Sequence, residues 1–103
     1  MKKQKIYLSG PITGTDDYMK KFLKLDQELV EAGFTVINPA VVNFNLPEDT
    51  THEEYMKMSF VMLEMCDAVI MMKGYEKSRG CNMELCHAIE HKKMIVFEER
   101  IGR

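Results

Sequence analysis

What is scarce in this chain already narrows its function. Its cysteines, Cys66, Cys81 and Cys86, are odd in number and show no CxxC spacing. Neither a disulfide framework nor a thiolate zinc site is expected from them, and they read as small buried apolar groups. Positive charge is not in excess either: 14 Lys and Arg stand against 16 Asp and Glu, a net charge of −2. That balance leaves no electrostatic footprint for a DNA or RNA backbone, so a nucleic-acid polymer is not an expected partner. No long hydrophobic run occurs. The start "MKKQK" has the lysines of a secretory leader, but "IYLSGPITG" is too short, and too soon broken by glycine and proline, to serve as its apolar core or to span a bilayer. A cytoplasmic protein without a membrane partner is expected. Repeats, low-complexity tracts and linkers are absent too, and 103 residues make one domain, 1–103.

What is present is an alternation. "QKIYLS" (4–9) reads as a strand ended by Gly10-Pro11. Tyr18, Phe22, Leu25 and Leu29 then recur at helical spacing up to the stop signal Gly33. "FTVIN" (34–38) is a second strand closed by Pro39, and residues 40–50 read as a loop. Thr51 with Glu54 three residues on forms a capping box that opens a second helix. That helix is apolar over much of its circumference, through Tyr55, Met56, Met58, Phe60, Met62, Leu63 and Met65. "DAVIMM" (67–72) is the uninterrupted run of a central strand buried on both faces. A third helix follows from about Arg79 to His91 with Ser78 as N-cap, and "KMIVFEE" supplies the last strand.

Strict strand–helix alternation predicts an α/β fold: a three-layer α/β/α sandwich on a parallel four-stranded sheet, order 2-1-3-4, flavodoxin- or Rossmann-like. Ligands of such sheets bind beyond the strands' carboxyl ends where the order reverses, here between strands 1 and 3. The loops that should meet there, "SGPITGT" and "KGYEKSRG", are the most glycine-rich in the chain.

In the first loop, Gly10, Thr13 and Gly14 could bring backbone donors to an anion, or could simply turn the chain into the helix. In the second, Ser78 caps a helix beside Gly80, and Glu84 lies one turn further on the same face. This carboxylate is either a nucleophile aimed at an electrophilic carbon such as a sugar C1, or a solvated acid favoured by the helix dipole. Asp67, at the start of an apolar strand, is either a ligand contact or a turn residue. Tyr7 is either a core ring or a hydroxyl aimed at the switch point. His87 and His91 stand at i, i+4 but lack the HExxH order and an evident third ligand, so they read as dipole partners, and neither metal nor cofactor is expected.

Together "KIYLSGPITGT", "CDAVIMMKGYEKSRGCNMELCHAI" and "KKMIVF" resemble the nucleoside 2-deoxyribosyltransferase superfamily over nearly the whole chain. The chain is most similar to a small phage and bacterial branch opening with the same SGPITG-type stretch, and it is also similar to the 2′-deoxynucleoside 5′-phosphate N-hydrolases. The resemblance implies that Glu84, between Gly80 and Ala88, attacks C1′ of a 2′-deoxyribose. The base is expelled and a glycosyl-enzyme forms, whose sugar passes to another base or to water. It implies that Asp67 contacts the base and that Tyr7 stands near the nucleophile. The expected substrate-binding residues are Ser9, Gly10, Pro11, Ile12, Thr13 and Gly14 of the first loop, Asn38, Ser78 and Gly80. The serine six residues before the nucleophile, Ser78, implies a 5′-phosphate contact and so a nucleotide. Pro11 and Thr13 stand where the hydrolases carry serine and arginine, implying a weaker phosphate grip. The expected partner is a small nucleoside or nucleotide, bound by a homodimer or higher homo-oligomer built through the second or third predicted helix. The alternative is a non-catalytic nucleotide-binding or sensing module.

Overall fold

A computed structural model describes residues 3–12 and 16–100. The chain runs β1 (Lys5–Ser9), α1 (Tyr18–Glu31), β2 (Thr35–Ile37), α2 (Pro39–Phe44), α3 (His52–Glu64), β3 (Ala68–Met71), α4 (Arg79–Glu90) and β4 (Met94–Phe97), with single 3₁₀ turns at Tyr75–Lys77 and Glu98–Arg100. All strand pairs are parallel and the order is β2-β1-β3-β4, as the alternation predicts. Ile6 lies beside Ala68 and Ser9 beside Met71, so β1 and β3 end level at their carboxyl ends.

Side chains on a strand alternate between faces, and each face here has its own cover. Ile6, Leu8, Ile70 and Met72 pack against Phe22 and Leu25 of α1 and Ala40 of α2. Tyr7, Val69 and Met71 pack against Leu63 of α3 and Cys81 and Ala88 of α4. The three layers follow, and Tyr7 and Ser9, two residues apart, share the face that α3 and α4 cover.

Two helix starts behave as their sequences imply. Thr51 accepts from the Glu54 N–H at 3.1 Å while the Glu54 carboxylate accepts from the Thr51 N–H at 2.8 Å. Ser78 Oγ accepts from the Cys81 N–H at 3.2 Å. Residues 40–50, by contrast, are not all loop, because α2 occupies 39–44. Asn38 is its N-cap, accepting from the Ala40 and Val41 N–H groups at 3.1 and 3.4 Å, and Pro39 supplies the preset φ of a first helical residue. No helix among the described residues is long and apolar enough to cross a membrane.

Candidate active site

At the carboxyl ends of β1 and β3, residues of α1, α2, α3, α4 and the two glycine-rich loops enclose a cleft of about 1020 Å³. Its floor is Glu84, one helical turn past Gly80 and only 7 % exposed. Helix and strand registers together explain that burial. Tyr7 and Ser9 project from β1 toward α4, and the Glu84 carboxyl sits between them. The Tyr7 hydroxyl donates to Oε2, and Ser9 Oγ donates to Oε1 at 2.7 Å. The Ser59 hydroxyl, from the buried side of α3, lies close enough to Glu84 and Tyr7 to favour their ionised forms.

The electrostatics follow from this cage. Burial pushes the Glu84 carboxyl above the usual carboxylate range, and the hydroxyls of Ser9, Tyr7 and Ser59 pull it back toward ionisation. Burial, followed by the neighbouring Glu84 charge, holds the Tyr7 phenol well above its ordinary value, so it remains a donor. Burial likewise raises the Cys81 thiol, which argues against a thiolate nucleophile here. The sequence reading offered the α4 dipole as what favours a solvated Glu84. As the sixth residue of the helix, Glu84 lies beyond the first turn where that dipole acts, and the hydroxyl cage takes that place.

The two glycine-rich loops do meet. Pro11 Cγ would lie 3.4 Å from a Cβ placed on Gly74, whose φ of +90° is the left-handed region that favours glycine. Gly10 is a close approach: a Cβ there would fall 2.7 Å from Met72 Sδ and 3.0 Å from Phe22 Cζ. Gly10, Pro11, Ile12, Ser78 and Gly80 line the cleft. Tyr7 and Ser9 lie beneath its floor, touching Glu84. Thr13 and Gly14 lie outside the described residues.

Two of the expected site residues lie away from this cleft. Asp67 precedes β3, at the amino end of the sheet, where its exposed carboxylate accepts from the Lys5 N–H at 2.9 Å and lines no part of the cleft. Met71 lies four positions further on, about 13 Å along a strand. Asn38 is also absent from the lining: its side-chain oxygen caps α2 and its amide nitrogen donates to Asp26 at 3.0 Å. Both are turn and capping residues.

The sequence reading missed Ser59, which lies among the apolar residues of that helix, and it missed the charge of the rim. Lys21, Lys24, Lys73, Lys77 and Arg79 line the cleft against two carboxylates, Glu84 and Glu98. In a chain of net charge −2, this local cationic excess raises the concentration of anions at the mouth. The lysines of 73–79 were legible as a basic loop. Those of α1 were not, since only the fold brings that helix alongside.

No curated protein matches the sequence. Among solved structures, the fold is similar to a 2-deoxyribosyltransferase from Bacillus psychrosaccharolyticus, with TM-score 0.70, 23 % identity, and coverage of 90 % of this chain and 70 % of that one. It is similar too to a 2-deoxyribosyltransferase from Leishmania mexicana, with TM-score 0.69, 20 % identity, and coverage of 91 % of this chain and 63 % of that one. The architecture is therefore that of the nucleoside 2-deoxyribosyltransferases. A family model matches residues 4–97, every element from β1 through β4, and the chain belongs to that family, described as a domain of unknown function (DUF4406).

Proposed function

We propose that this protein cleaves or transfers at the N-glycosidic bond of a 2′-deoxynucleoside or its 5′-monophosphate, with Glu84 as nucleophile. The observation that carries the reading is a buried carboxylate, held by the hydroxyls of Tyr7 and Ser9, on the floor of a cleft at the sheet's switch point. A Glu84 oxygen attacks C1′ and the C1′–N bond breaks. The bonding pair leaves with the base nitrogen, which takes a proton from water in the open cleft. Water or a second base then attacks C1′ and releases Glu84, returning the sugar with its original configuration after two displacements. The hydroxyls of Tyr7, Ser9 and Ser59 position the carboxylate. Ser78, at the first turn of α4, with Lys77 and Arg79 beside it on the rim, favours a 5′-phosphate over a bare 5′-hydroxyl. The fold of the deoxyribosyltransferases supports the reaction class.

The test is incubation with the four deoxynucleoside 5′-monophosphates and the matching nucleosides, with chromatography for free base and peptide mass spectrometry for a sugar on Glu84. Base release that disappears in Glu84→Ala supports the reading, and equal release by Glu84→Ala overturns it.

A second reading, a nucleotide-binding module without turnover, is favoured by one observation: both Glu84 oxygens already accept hydrogen bonds from the protein. A nucleotide-dependent rise in melting temperature without base release would select it. In either case a homodimer through α3 or α4 is supported by the exposed Val61, Met65 and Ile89, and sedimentation at two concentrations tests it.

A further inference from the structure

At the opposite end of α4 from Gly80, the structure supplies the third ligand that the sequence did not reveal for His87 and His91. Glu64, the last residue of α3, brings its carboxylate to both imidazoles: Oε2 is 2.7 Å from His87 Nε2 and 3.9 Å from His91 Nε2. One donor atom from each of the three residues falls within 4.8 Å of the others, and among the described residues this is the one such cluster of histidine, cysteine and acidic groups. We propose that Glu64, His87 and His91 form a binding site for a divalent transition metal of the zinc class, clamping α3 to α4.

The distances fit that class. Zinc–nitrogen and zinc–oxygen bonds near 2.0–2.2 Å at tetrahedral angles place neighbouring donor atoms about 3.3–3.4 Å apart. The two spacings to Glu64, 2.7 and 3.9 Å, bracket that value, and all three donor atoms lie within 4.8 Å of one another. A three-ligand set leaves the fourth position to water.

A second observation concerns how the rings are held. His91 Nδ1 lies 2.9 Å from the His87 backbone carbonyl, and only as an N–H donor can it bond there. That bond puts the proton on Nδ1 and leaves the Nε2 lone pair free on the side facing Glu64, the outer-shell arrangement that orients ligating histidines. The His87 ring is fixed differently, stacked on Phe60 at 4.3 Å between centroids. Two imidazoles and one carboxylate are a borderline donor set that suits zinc, nickel and copper and disfavours calcium or magnesium. Lys93 is the nearby opposing charge, yet its ammonium donates to the Glu64 backbone oxygen at 2.9 Å and leaves the carboxylate to the imidazoles.

Occupancy ties together the two helices that carry Ser59 and Glu84. The site is nonetheless separate from the cleft, because Glu64, His87 and His91 do not line it.

The experiment titrates Zn²⁺ into the tag-free full chain in chelator-treated buffer by calorimetry, follows Co²⁺ addition by its visible ligand-field bands, and records melting temperature with and without Zn²⁺. One saturable site, tetrahedral-type cobalt bands and a Zn²⁺-dependent rise in melting temperature are expected. Losing an outer-shell partner alone typically weakens metal sites by about 10–100-fold, so His91→Ala and Glu64→Gln, both at exposed positions that tolerate change, should each weaken binding at least that much. His52→Ala and Cys86→Ser, which remove the remaining histidine and the exposed thiol, should leave it unchanged. Absence of saturable binding, undiminished affinity in His91→Ala and Glu64→Gln, or loss of binding in Cys86→Ser overturns the proposal.

Discussion

The two ends of the central sheet each carry a carboxylate, and their surroundings differ at every point. At the amino end, Asp67 stands in solvent and accepts one backbone N–H. At the carboxyl end, Glu84 is walled in by β1, α3 and α4 and accepts from side-chain hydroxyls that could have bonded elsewhere. An exposed acid on a backbone donor is ordinary turn chemistry. A buried acid is costly unless it is paired or hydrogen-bonded, and evolution generally retains one for what it does rather than for stability. The comparison teaches that residue type alone does not separate the two acids. The end of the sheet that each meets does, because parallel strands open their crevice at one end only.

The largest expected break of this asymmetry is Glu84→Gln. If Glu84 is the nucleophile, base release falls by roughly three orders of magnitude or more. Stability moves the other way, with a definite pH dependence. The folded state raises the Glu84 pKa, so the stability it contributes is complete below the ordinary carboxylate range and is lost as pH rises through the folded-state value. Glutamine carries no such titration. The melting temperature of the variant should therefore pull ahead of wild type as pH rises through that window and converge with it in acid. Melting curves across pH that run parallel would show that Glu84 is not a strained buried acid.

Tyr7→Phe comes next. The phenol hydroxyl stabilises the charged form of Glu84, so its removal raises the carboxyl pKa further and shifts the acid limb of the pH–rate profile upward. A fall in kcat of about tenfold or more accompanies that shift. A profile that keeps its acid limb in place would reduce Tyr7 to a core ring.

Ser78→Ala should act more modestly and in two separable ways. Loss of the N-cap bond to Cys81 costs about 1 kcal/mol, or a melting temperature lower by about 4–8 °C in a chain of this size. If the hydroxyl also meets a 5′-phosphate, KM rises for the monophosphates and not for the nucleosides. Equal changes for both would leave Ser78 as a cap alone.

How much of this could be read from the sequence depended on how local each signal is. The strand–helix order, the Thr51–Glu54 capping box and the Ser78 cap rest on neighbours within four residues, and the structure contains all of them. Helix α2 was local too, since Asn38 followed by Pro39 is a helix-start signature, but the proline was read only as the end of a strand. The cage around Glu84 is of another kind. Tyr7 and Ser9 are 77 and 75 residues away in sequence, and Ser59 lies in a stripe whose period marks it as core. Pattern gives the face on which such a residue lies, and only the packed fold gives its partner. Glu64 meets the histidines of α4 across 23 and 27 residues for the same reason, two helix ends brought side by side.

The smallest expected effect is the sharpest check on the comparison. Asp67→Asn removes the charge at the amino end but keeps an oxygen that can accept from the Lys5 N–H, so the turn into β3 is preserved. Stability should change by no more than about 0.5 kcal/mol, as for most exposed substitutions. Turnover on any accepted substrate should stay within about twofold of wild type, because a strand's length of packed core separates this position from the cleft. A large loss of turnover with the melting temperature unmoved would mean that Asp67 reaches a substrate. That is incompatible with a reaction confined to the carboxyl end of this sheet, and it would require a site completed from elsewhere, such as the amino edge of a second copy facing the first copy's cleft.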